Sequence, residues 1–323
     1  MSKSEDYIYA VARIRCKEGK LFSSKNLEQM ISMKDAQSVK RYLSENGWSL
    51  SSGAEDSDAL TEEEKSVWVL MKDLVGDLSC FDFLRVQSDF QNLKACIKSV
   101  YSACDPTPMF VQGGTVDPAI IYKSVSDKSY GDLPDYLSGA ADEAMSTLLR
   151  TGDGQLCDIL IDKACLNKVY SLGKVSADEI IREYCEVFVA SANIRMAVRG
   201  VKLCKSADFF MRTMAECDSL NLKSLAVAAA KGFDEICSYL SSTDYKSAVS
   251  SIKDSLTSFE KWCDNYIMQK LRSQKSDPFS IGPLVAYIIA RQTEIKAVRL
   301  ILTAKINDLE DSIIRERIRD MYV

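Results

Sequence analysis

The chain has 323 residues, and its 41 Lys and Arg against 46 Asp and Glu give a formal net charge of −5. So mildly acidic a chain is poorly suited to holding nucleic acid by phosphate neutralisation. It contains no histidine, which excludes Ser-His-Asp and Cys-His nucleophiles, HExxH zinc sites, facial-triad iron and a histidine general base. We therefore expect no catalytic residue, no metal ligand and no cofactor.

The predicted elements are helices along the whole chain. Gly and Pro, at 14 and 6 residues, make up about half of their average share, which leaves few turns and favours long helices. The stretch Tyr7–Arg15 could be interpreted as a strand, but its apolar residues fall at i, i+3, i+4 and i+7, which is the spacing of a helix. Asn46-Gly47 predicts a helix end rather than a hairpin. The sequence thus predicts an all-α fold.

Four short signals predict where helices begin. Thr61–Glu64 and Ser176–Glu179 fit the S/T-x-x-E capping box ahead of apolar-periodic segments. Asp117-Pro118 and Asp277-Pro278 place a capping acid before a proline suited to the first helical position. On this interpretation the acids Glu62 to Glu64 complement a helix dipole and do not form a metal cluster.

Comparison of the chain with itself shows a motif that recurs every 101 residues: Asn92-Leu93-Lys94, Asn193-Ile194-Arg195 and Glu294-Ile295-Lys296. Around each first residue, which we call the anchor, apolar residues stand at offsets −9, −6, +1, +4 and +8. These offsets trace one stripe of a helix, so each repeat is predicted to contain a long helix with a buried face.

The anchors and the bases two positions after them are the candidate site residues. They either contact partner proteins or link each repeat helix to its neighbours by hydrogen bonds and ion pairs within the chain, and we favour the second interpretation. The candidates are Asn92, Lys94, Asn193, Arg195, Glu294 and Lys296.

The spacing of the motifs and two linkers predict three helical domains, residues 1–105, 106–208 and 209–323. Asp105–Pro108 contains two prolines and cannot continue a helix, and Lys205–Asp208 stands at the matching place after the second motif. Predicted loops within the domains are Ser49–Asp58, Asp127–Leu133 and Thr151–Gly154.

The cysteines and the apolar runs indicate where such a protein would work. The 11 cysteines are scattered and form no CxxC pair, so we expect small apolar side chains in a reducing cytosol rather than disulfides. The start is polar and leads into no signal-peptide core. The longest uncharged apolar run, Leu284–Ala290, has seven residues, against the roughly 18 of a membrane span. We expect a soluble chain that meets a membrane only through a partner.

Several of these segments also carry a family resemblance. They are similar to the C subunit of V-type (A/V-type) ATPases and ATP synthases, whose eukaryotic relative is the d subunit of the membrane sector. The match runs from end to end, and the closing part is the strongest. The matching segments are Tyr7–Arg15, Asn92–Lys94, Glu183-Tyr184, Asn193–Arg195, Gly282–Tyr287, Glu294–Lys296, Arg299–Leu302, Ile314–Arg319 and Tyr322-Val323.

The resemblance implies a funnel of three similar helical domains around a pseudo-threefold axis, on the cytoplasmic face of the proteolipid ring. It implies two sets of partners: the ring, and the tip of the central axle, made of a coiled-coil subunit and its small companion. A single copy passes torque between them, coupling ATP hydrolysis or synthesis to H⁺ or Na⁺ movement, and itself catalyses nothing.

Two other classes of protein stay open on the residues alone. One is an unrelated all-α scaffold that binds peptides along an open solenoid; repeats of about 100 residues disfavour it, because solenoid units run to about 20–45 residues. The other is an all-α enzyme that uses carboxylates and a divalent metal. That class requires paired motifs such as DDxxD or ExxH, and neither occurs.

Overall fold

The computed structural model describes residues 3–48 and 56–323. Within these ranges the chain is helical and has no strand, which confirms the all-α prediction. None of the helices in them is both long and apolar enough to cross a bilayer. The chain divides into two compact units. One consists of Met1–Leu78 together with Ser250–Val323, and the other of Ser79–Val249.

The helices are numbered in chain order. Up to residue 175 the α-helices of the described ranges are α1 (Lys3–Glu18), α2 (Ser24–Ile31), α3 (Ala36–Glu45), α4 (Asp56–Val75), α5 (Asp82–Ser102), α6 (Pro118–Ser126), α7 (Asp135–Thr151) and α8 (Gly154–Val175). From residue 179 they are α9 (Glu179–Val201), α10 (Ala207–Thr213), α11 (Leu222–Lys231), α12 (Phe233–Leu240), α13 (Val249–Asp254), α14 (Leu256–Arg272), α15 (Gly282–Ile306) and α16 (Asp311–Arg317).

In the unit Ser79–Val249, α8 is the central helix and packs against α5, α7 and α9. α5 also contacts α6 and α7, and α9 contacts α10, α11 and α12. The core between α5, α6, α7 and α8 is built from side chains such as Phe90, Leu93, Ile97, Leu137 and Ile161. Complete burial of each such side chain is worth about 1.5–3 kcal/mol.

In the unit Met1–Leu78 with Ser250–Val323, α15 is the central helix. It packs against α1, α2, α3, α4, α14 and α16, and for this reason it is apolar almost all round. The run Leu284–Ala290 is buried throughout, so the longest apolar run of the chain serves the protein core.

The three repeat helices predicted from the motif are α5, α9 and α15, which we call the anchor helices. At the five apolar offsets, twelve of the fifteen side chains are buried in the structure. The exceptions, Val100, Tyr184 and Val201, are half-buried. The predicted buried stripe is therefore confirmed.

Two local signals place helix ends correctly. Asp117 caps α6 by accepting a hydrogen bond from the Ala119 amide at 2.8 Å, with Pro118 at the first helical position. Asn46 is the C-cap of α3, and Gly47 follows with φ of 86°. That left-handed backbone favours glycine.

The other three predicted helix starts are wrong. α4 begins at Asp56 rather than Thr61, because Ala59 and Leu60 are buried and extend the helix backwards. Glu62 to Glu64 consequently lie inside α4 and not at its end. α9 begins at Glu179, since Arg182 donates to the carbonyls of Ser176 and Ala177 and holds them outside the helix.

The third wrong start is Asp277-Pro278. The Asp277 carboxylate accepts from the Phe279 amide at 3.0 Å and closes a turn. α15 begins at Gly282, four residues after Pro278, and its own proline, Pro283, is the second residue of the helix. A cap and a proline favour a helix start locally, but burial decides which of two such signals is used.

The predicted linkers and loops hold in part. α5 ends at Ser102, before Asp105–Pro108, and Asp127–Leu133 is a turn region. α10 already begins at Ala207, with Ser206 as its N-cap, so the linker Lys205–Asp208 is shorter than expected. Between α7 and α8 only Gly152 and Asp153 are outside a helix.

Residues 49–55 of the loop Ser49–Asp58 lie outside the described residues, and Asp56–Asp58 belong to α4.

All 11 cysteines are free thiols, and five of them are buried, which confirms that the chain has no disulfide framework. Burial raises the pKa of Cys96 and of Cys185 to about 12. These side chains are therefore neutral packing groups at physiological pH.

Gly173 marks a close contact between α8 and α9. A Cβ at this position would stand 2.5 Å from the Cβ of Cys185, which is fixed to its backbone and cannot turn away. We expect Gly173→Ala to destabilise the protein by about 1–3 kcal/mol. Gly139 is the matched control: it lies inside α7, and a Cβ added there would have no neighbouring atom within 4 Å, so Gly139→Ala should stabilise by about 0.5–1 kcal/mol. Urea midpoints that shift in the same direction would contradict this.

Candidate functional site

The three anchors lie on α5, α9 and α15 and are fully buried. The exposed fraction is 0% for Asn92, 1% for Asn193 and 0% for Glu294. A polar side chain buried this deeply is costly unless its donors and acceptors are paired. Its bonds therefore show what each anchor does.

Asn92 holds the segment between α5 and α6, residues 103–117. Its Oδ1 accepts from the Val111 amide at 2.7 Å, and its Nδ2 donates to the Val111 carbonyl at 2.9 Å. A side-chain amide carries one donor group and one acceptor, so it satisfies both backbone groups of one residue at once.

Asn193 repeats this arrangement with the segment between α10 and α11, residues 214–221. Its Oδ1 accepts from the Ala215 amide at 2.9 Å, and its Nδ2 donates to the Ala215 carbonyl at 2.8 Å. One difference matters for stability: Ala215 is 0% exposed, whereas Val111 is 37% exposed. The residue that Asn92 holds is thus partly open to solvent, and the residue that Asn193 holds is not.

Glu294 holds the segment between α1 and α2, residues 19–23. Its Oε1 accepts from the Phe22 amide at 2.8 Å, and its Oε2 accepts from Arg291 Nη1 at 2.6 Å. A carboxylate has no donor to offer the Phe22 carbonyl. The third anchor therefore makes one backbone bond instead of two and takes a guanidinium on its other oxygen.

Further side chains on two anchor helices hold the same segments. On α5, Arg85 Nη2 donates to the Gly114 carbonyl at 2.6 Å, and Asp89 accepts from the amides of Thr115 and Val116 at 2.8 and 3.1 Å. On α9, Glu186 accepts from the Ser219 amide at 2.7 Å.

None of these further residues was predicted from the sequence. The signal was available, since they precede the anchors by seven or three positions and so share their helix face.

Asp89 is buried completely, and burial raises the pKa of its carboxyl in spite of the donors around it. The carboxylate also accepts from the hydroxyls of Thr115 and Tyr136, at 2.6 and 3.0 Å. The backbone of Gly114 approaches so closely that a Cβ there would stand 2.2 Å from Asp89 Oδ1. Residues 114–116 of the segment are therefore held both by hydrogen bonds to Asp89 and by the close approach of the Gly114 backbone to its carboxylate.

Arg291 lies between two carboxylates in the other unit. Its Nη2 donates to Glu63 of α4 at 2.5 Å, and its Nη1 donates to Glu294. Its guanidinium carbon also stands 4.3 Å from the centre of the Trp48 ring, which stacks on Phe22 at 5.8 Å. Glu63, expected to complement a helix dipole, instead pairs with this half-buried arginine.

The bases of the motif have different surroundings. Lys94 is half-buried and pairs with Asp162 of α8. Arg195 is half-buried on α9. Lys296 is exposed, and none of the residues described forms an ion pair with it. Asn92 and Asn193 belong to one compact unit and Glu294 to the other, and each anchor serves its own segment.

Each of the three anchors thus holds a backbone segment of its own. Among the residues that the structure describes, no three Cys, Asp or Glu side chains are grouped so as to hold a metal ion.

The family model described as ATP synthase (C/AC39) subunit matches residues 10–317. The chain belongs to this family. The resemblance found in the sequence is thereby confirmed, and the chain is a subunit of a rotary ATPase of the V or A type.

Individual family members match over nearly the whole chain. It is 22% identical over 317 residues to the C subunit of the V-type sodium ATPase of Enterococcus hirae, covering 96% of this chain and 97% of the relative. It is 22% identical to the C subunit of the A-type ATP synthase of Methanocaldococcus jannaschii, covering 96% and 85%. The C subunit of the V-type ATP synthase of Thermus thermophilus is 23% identical, with 94% of each covered.

Glu294 gives this member of the ATP synthase (C/AC39) subunit family a pH-dependent term in its stability. Burial raises the pKa of Glu294 above its ordinary value of 4.5, although Arg291 and the Phe22 amide oppose the shift. The folded state therefore holds the proton more tightly than the unfolded state. The stability from this group is complete below the ordinary pKa and is lost as pH rises through the folded pKa.

Glu294→Gln removes this titration but keeps a carbonyl oxygen for the Phe22 amide. We therefore expect the variant to gain stability relative to the wild type as pH rises above about 4.5, and the difference to level off once Glu294 is ionised. Thermal melts of both proteins across this pH range measure the difference. A difference that does not change with pH would contradict the expectation.

Proposed function

We propose that this chain is the non-catalytic rotor subunit that joins the central axle of a V-type rotary ATPase to its proteolipid ring. The observation that carries the proposal is the end-to-end family match over residues 10–317. ATP hydrolysis elsewhere in the complex turns the axle, a single copy of this subunit passes the torque to the ring, and H⁺ or Na⁺ crosses the membrane. Synthesis runs the same steps in reverse.

The internal construction suits a part that transmits torque. Close-packed helices deform little under load, whereas unsupported loops yield. In the unit Ser79–Val249, the segments 103–117 and 214–221 are each bonded to an anchor helix at more than one residue. We propose that the anchors serve this internal stiffness and do not themselves contact partners.

The proposed partners are the axle, consisting of a coiled-coil subunit and its small companion, and the proteolipid ring. Three anchor helices that each hold one segment support three similar helical units, which on this proposal surround the axle tip as a pseudo-threefold funnel. The ring has many identical subunits, so its contacts with one such protein are not equivalent. We therefore expect a polar, partly wet interface at the ring and a better-packed one at the axle.

Attachment to the cytoplasmic side of the membrane is on this proposal entirely through the ring. The ion is selected in the proteolipid, so this chain is compatible with either H⁺ or Na⁺.

Reconstitution of the complex in vesicles tests the proposed function. Without this chain, the complex should still hydrolyse ATP but should no longer move ions, and adding the purified chain should restore transport. The Gly139→Ala chain, changed only at an exposed helix position, should restore transport as well as the wild type does. Ion transport that stays coupled to hydrolysis in the absence of the chain would refute the rotor role.

A further inference from the structure

The segment held by Glu294 belongs to the start of the chain, although Glu294 is near the end. Asn92 and Asn193 bond to residues 19 and 22 positions after them, whereas Phe22 stands 272 positions before Glu294. In each case the bond is made to the backbone of a segment that leads into a short helix. The contact of Glu294 thus resembles those of the two asparagines, except that the segment it holds comes before the anchor in the chain and not after it.

The helices after each segment follow the same rule. The segment 103–117 leads into α6 and α7, and both pack against α5. The segment 214–221 leads into α11 and α12, and both pack against α9. The segment 19–23 leads into α2 and α3, and both pack against α15. Every anchor helix is thus covered by the two helices that follow the segment it holds.

The packing of α2 and α3 on α15 is extensive and apolar. Leu27, Met30, Val39 and Leu43 share one buried core with residues of α15 such as Ile301. An ion pair at the edge of this contact joins Glu28 of α2 to Arg315 of α16, with Nη2 to Oε1 at 2.5 Å.

We propose that residues 19–48 act as a strap that closes the third repeat, with Glu294 as its attachment point. On this proposal the strap is the counterpart of the segments and helices that follow α5 and α9. The third repeat is therefore circularly permuted: the part that follows the anchor helix in the other two repeats precedes α15 in the chain. The predicted domain 209–323 is then incomplete without the N-terminal residues. The proposal concerns the folding of one compact unit and does not rest on the proposed function.

The strap also links the two ends of the chain during folding. Its docking on α15 closes a loop of more than 250 residues, and contacts of such long range form late because the loop entropy is lost before the contact is gained. The first two repeats are closed by segments near in sequence. We therefore expect the third repeat to be completed last, once α15 has been made.

Hydrogen exchange of the full chain, read by mass spectrometry, tests the strap. In Glu294→Leu, residues 19–31 should exchange roughly tenfold faster or more, since the Phe22 amide loses its acceptor, while residues 103–117 and 214–221 should be unchanged. Asn193→Leu is the matched control and should accelerate exchange in 214–231 alone. Glu294→Gln, which retains an acceptor, should leave residues 19–31 protected.

Two results would overturn the strap. One is faster exchange in Glu294→Leu confined to residues 307–323, which would mean that the third repeat is closed by the sequence after α15. The other is unchanged protection of residues 19–31 in Glu294→Leu. If this variant does not fold, Phe22→Ala provides the second test, because losing its stacking on Trp48 should likewise accelerate exchange in 19–31 and leave the Asn-held segments unchanged.

Discussion

Asn193→Leu should lower the free energy of unfolding by about 2–6 kcal/mol. Leucine has nearly the shape of asparagine but leaves the Ala215 amide and carbonyl without partners in a site where Ala215 is 0% exposed. An unpaired buried backbone group costs about 1–3 kcal/mol, and here there are two. Urea unfolding of wild type and variant measures the difference.

Asn92→Leu is the comparison that separates hydrogen bonding from packing. It removes the same pair of bonds, but Val111 is 37% exposed, so water replaces the lost partners at least in part. We expect a cost of about 1–2 kcal/mol, smaller than that of Asn193→Leu. Equal costs at the two positions, or a larger one at Asn92, would show that burial of the bonded backbone does not set the cost of losing these bonds.

Arg291→Met should be the other strongly destabilising substitution, at about 3–5 kcal/mol. Methionine fills much of the same volume but leaves the carboxylates of Glu63 and Glu294 without the guanidinium that now joins them. The Glu294 side chain is 0% exposed, so its carboxylate would lose the guanidinium in a site that water does not reach. Thermal melts at neutral pH give the size of the loss.

A second variant tests whether the stability lost in Arg291→Met is due to the charge left on Glu294. Adding Glu294→Gln to Arg291→Met removes the buried carboxylate that has lost its guanidinium, so the double variant should regain part of the lost stability. Acid should narrow the difference in stability between Arg291→Met and wild type, because protonation neutralises the buried Glu294 carboxylate. If the double variant is less stable than Arg291→Met and acid widens the gap, unpaired charge is not the cause of the loss.

The helical class, the three anchor helices and their buried stripe were predictable because they depend on periodicity. A stripe at helical spacing is visible in the chain itself, and the offsets around Asn92, Asn193 and Glu294 marked it correctly. The spacing of 101 residues also identified all three anchors. What the anchors bind was not predictable, since the partner of Glu294 lies 272 positions away.

The wrong helix starts have a related cause. A capping box is a local preference worth about 1 kcal/mol, whereas burying Leu60 in α4 contributes more. The sequence at Thr61 is a valid cap, but burial extends the helix past it. Glu63 is a second case in which local sequence was not enough. Its position in a run of acids suggested a helix terminus, whereas its partner, Arg291, is identified only by the packing of α4 on α15.

The proposed rotor role requires above all that the chain bind the axle of a rotary ATPase. Native mass spectrometry of the purified chain mixed with the purified coiled-coil axle subunit and its small companion tests this binding most directly. We expect a complex with one copy of each, in which the chain's contact surface becomes protected from hydrogen exchange. A folded, helical chain that stays free in the presence of both axle subunits would contradict the rotor role.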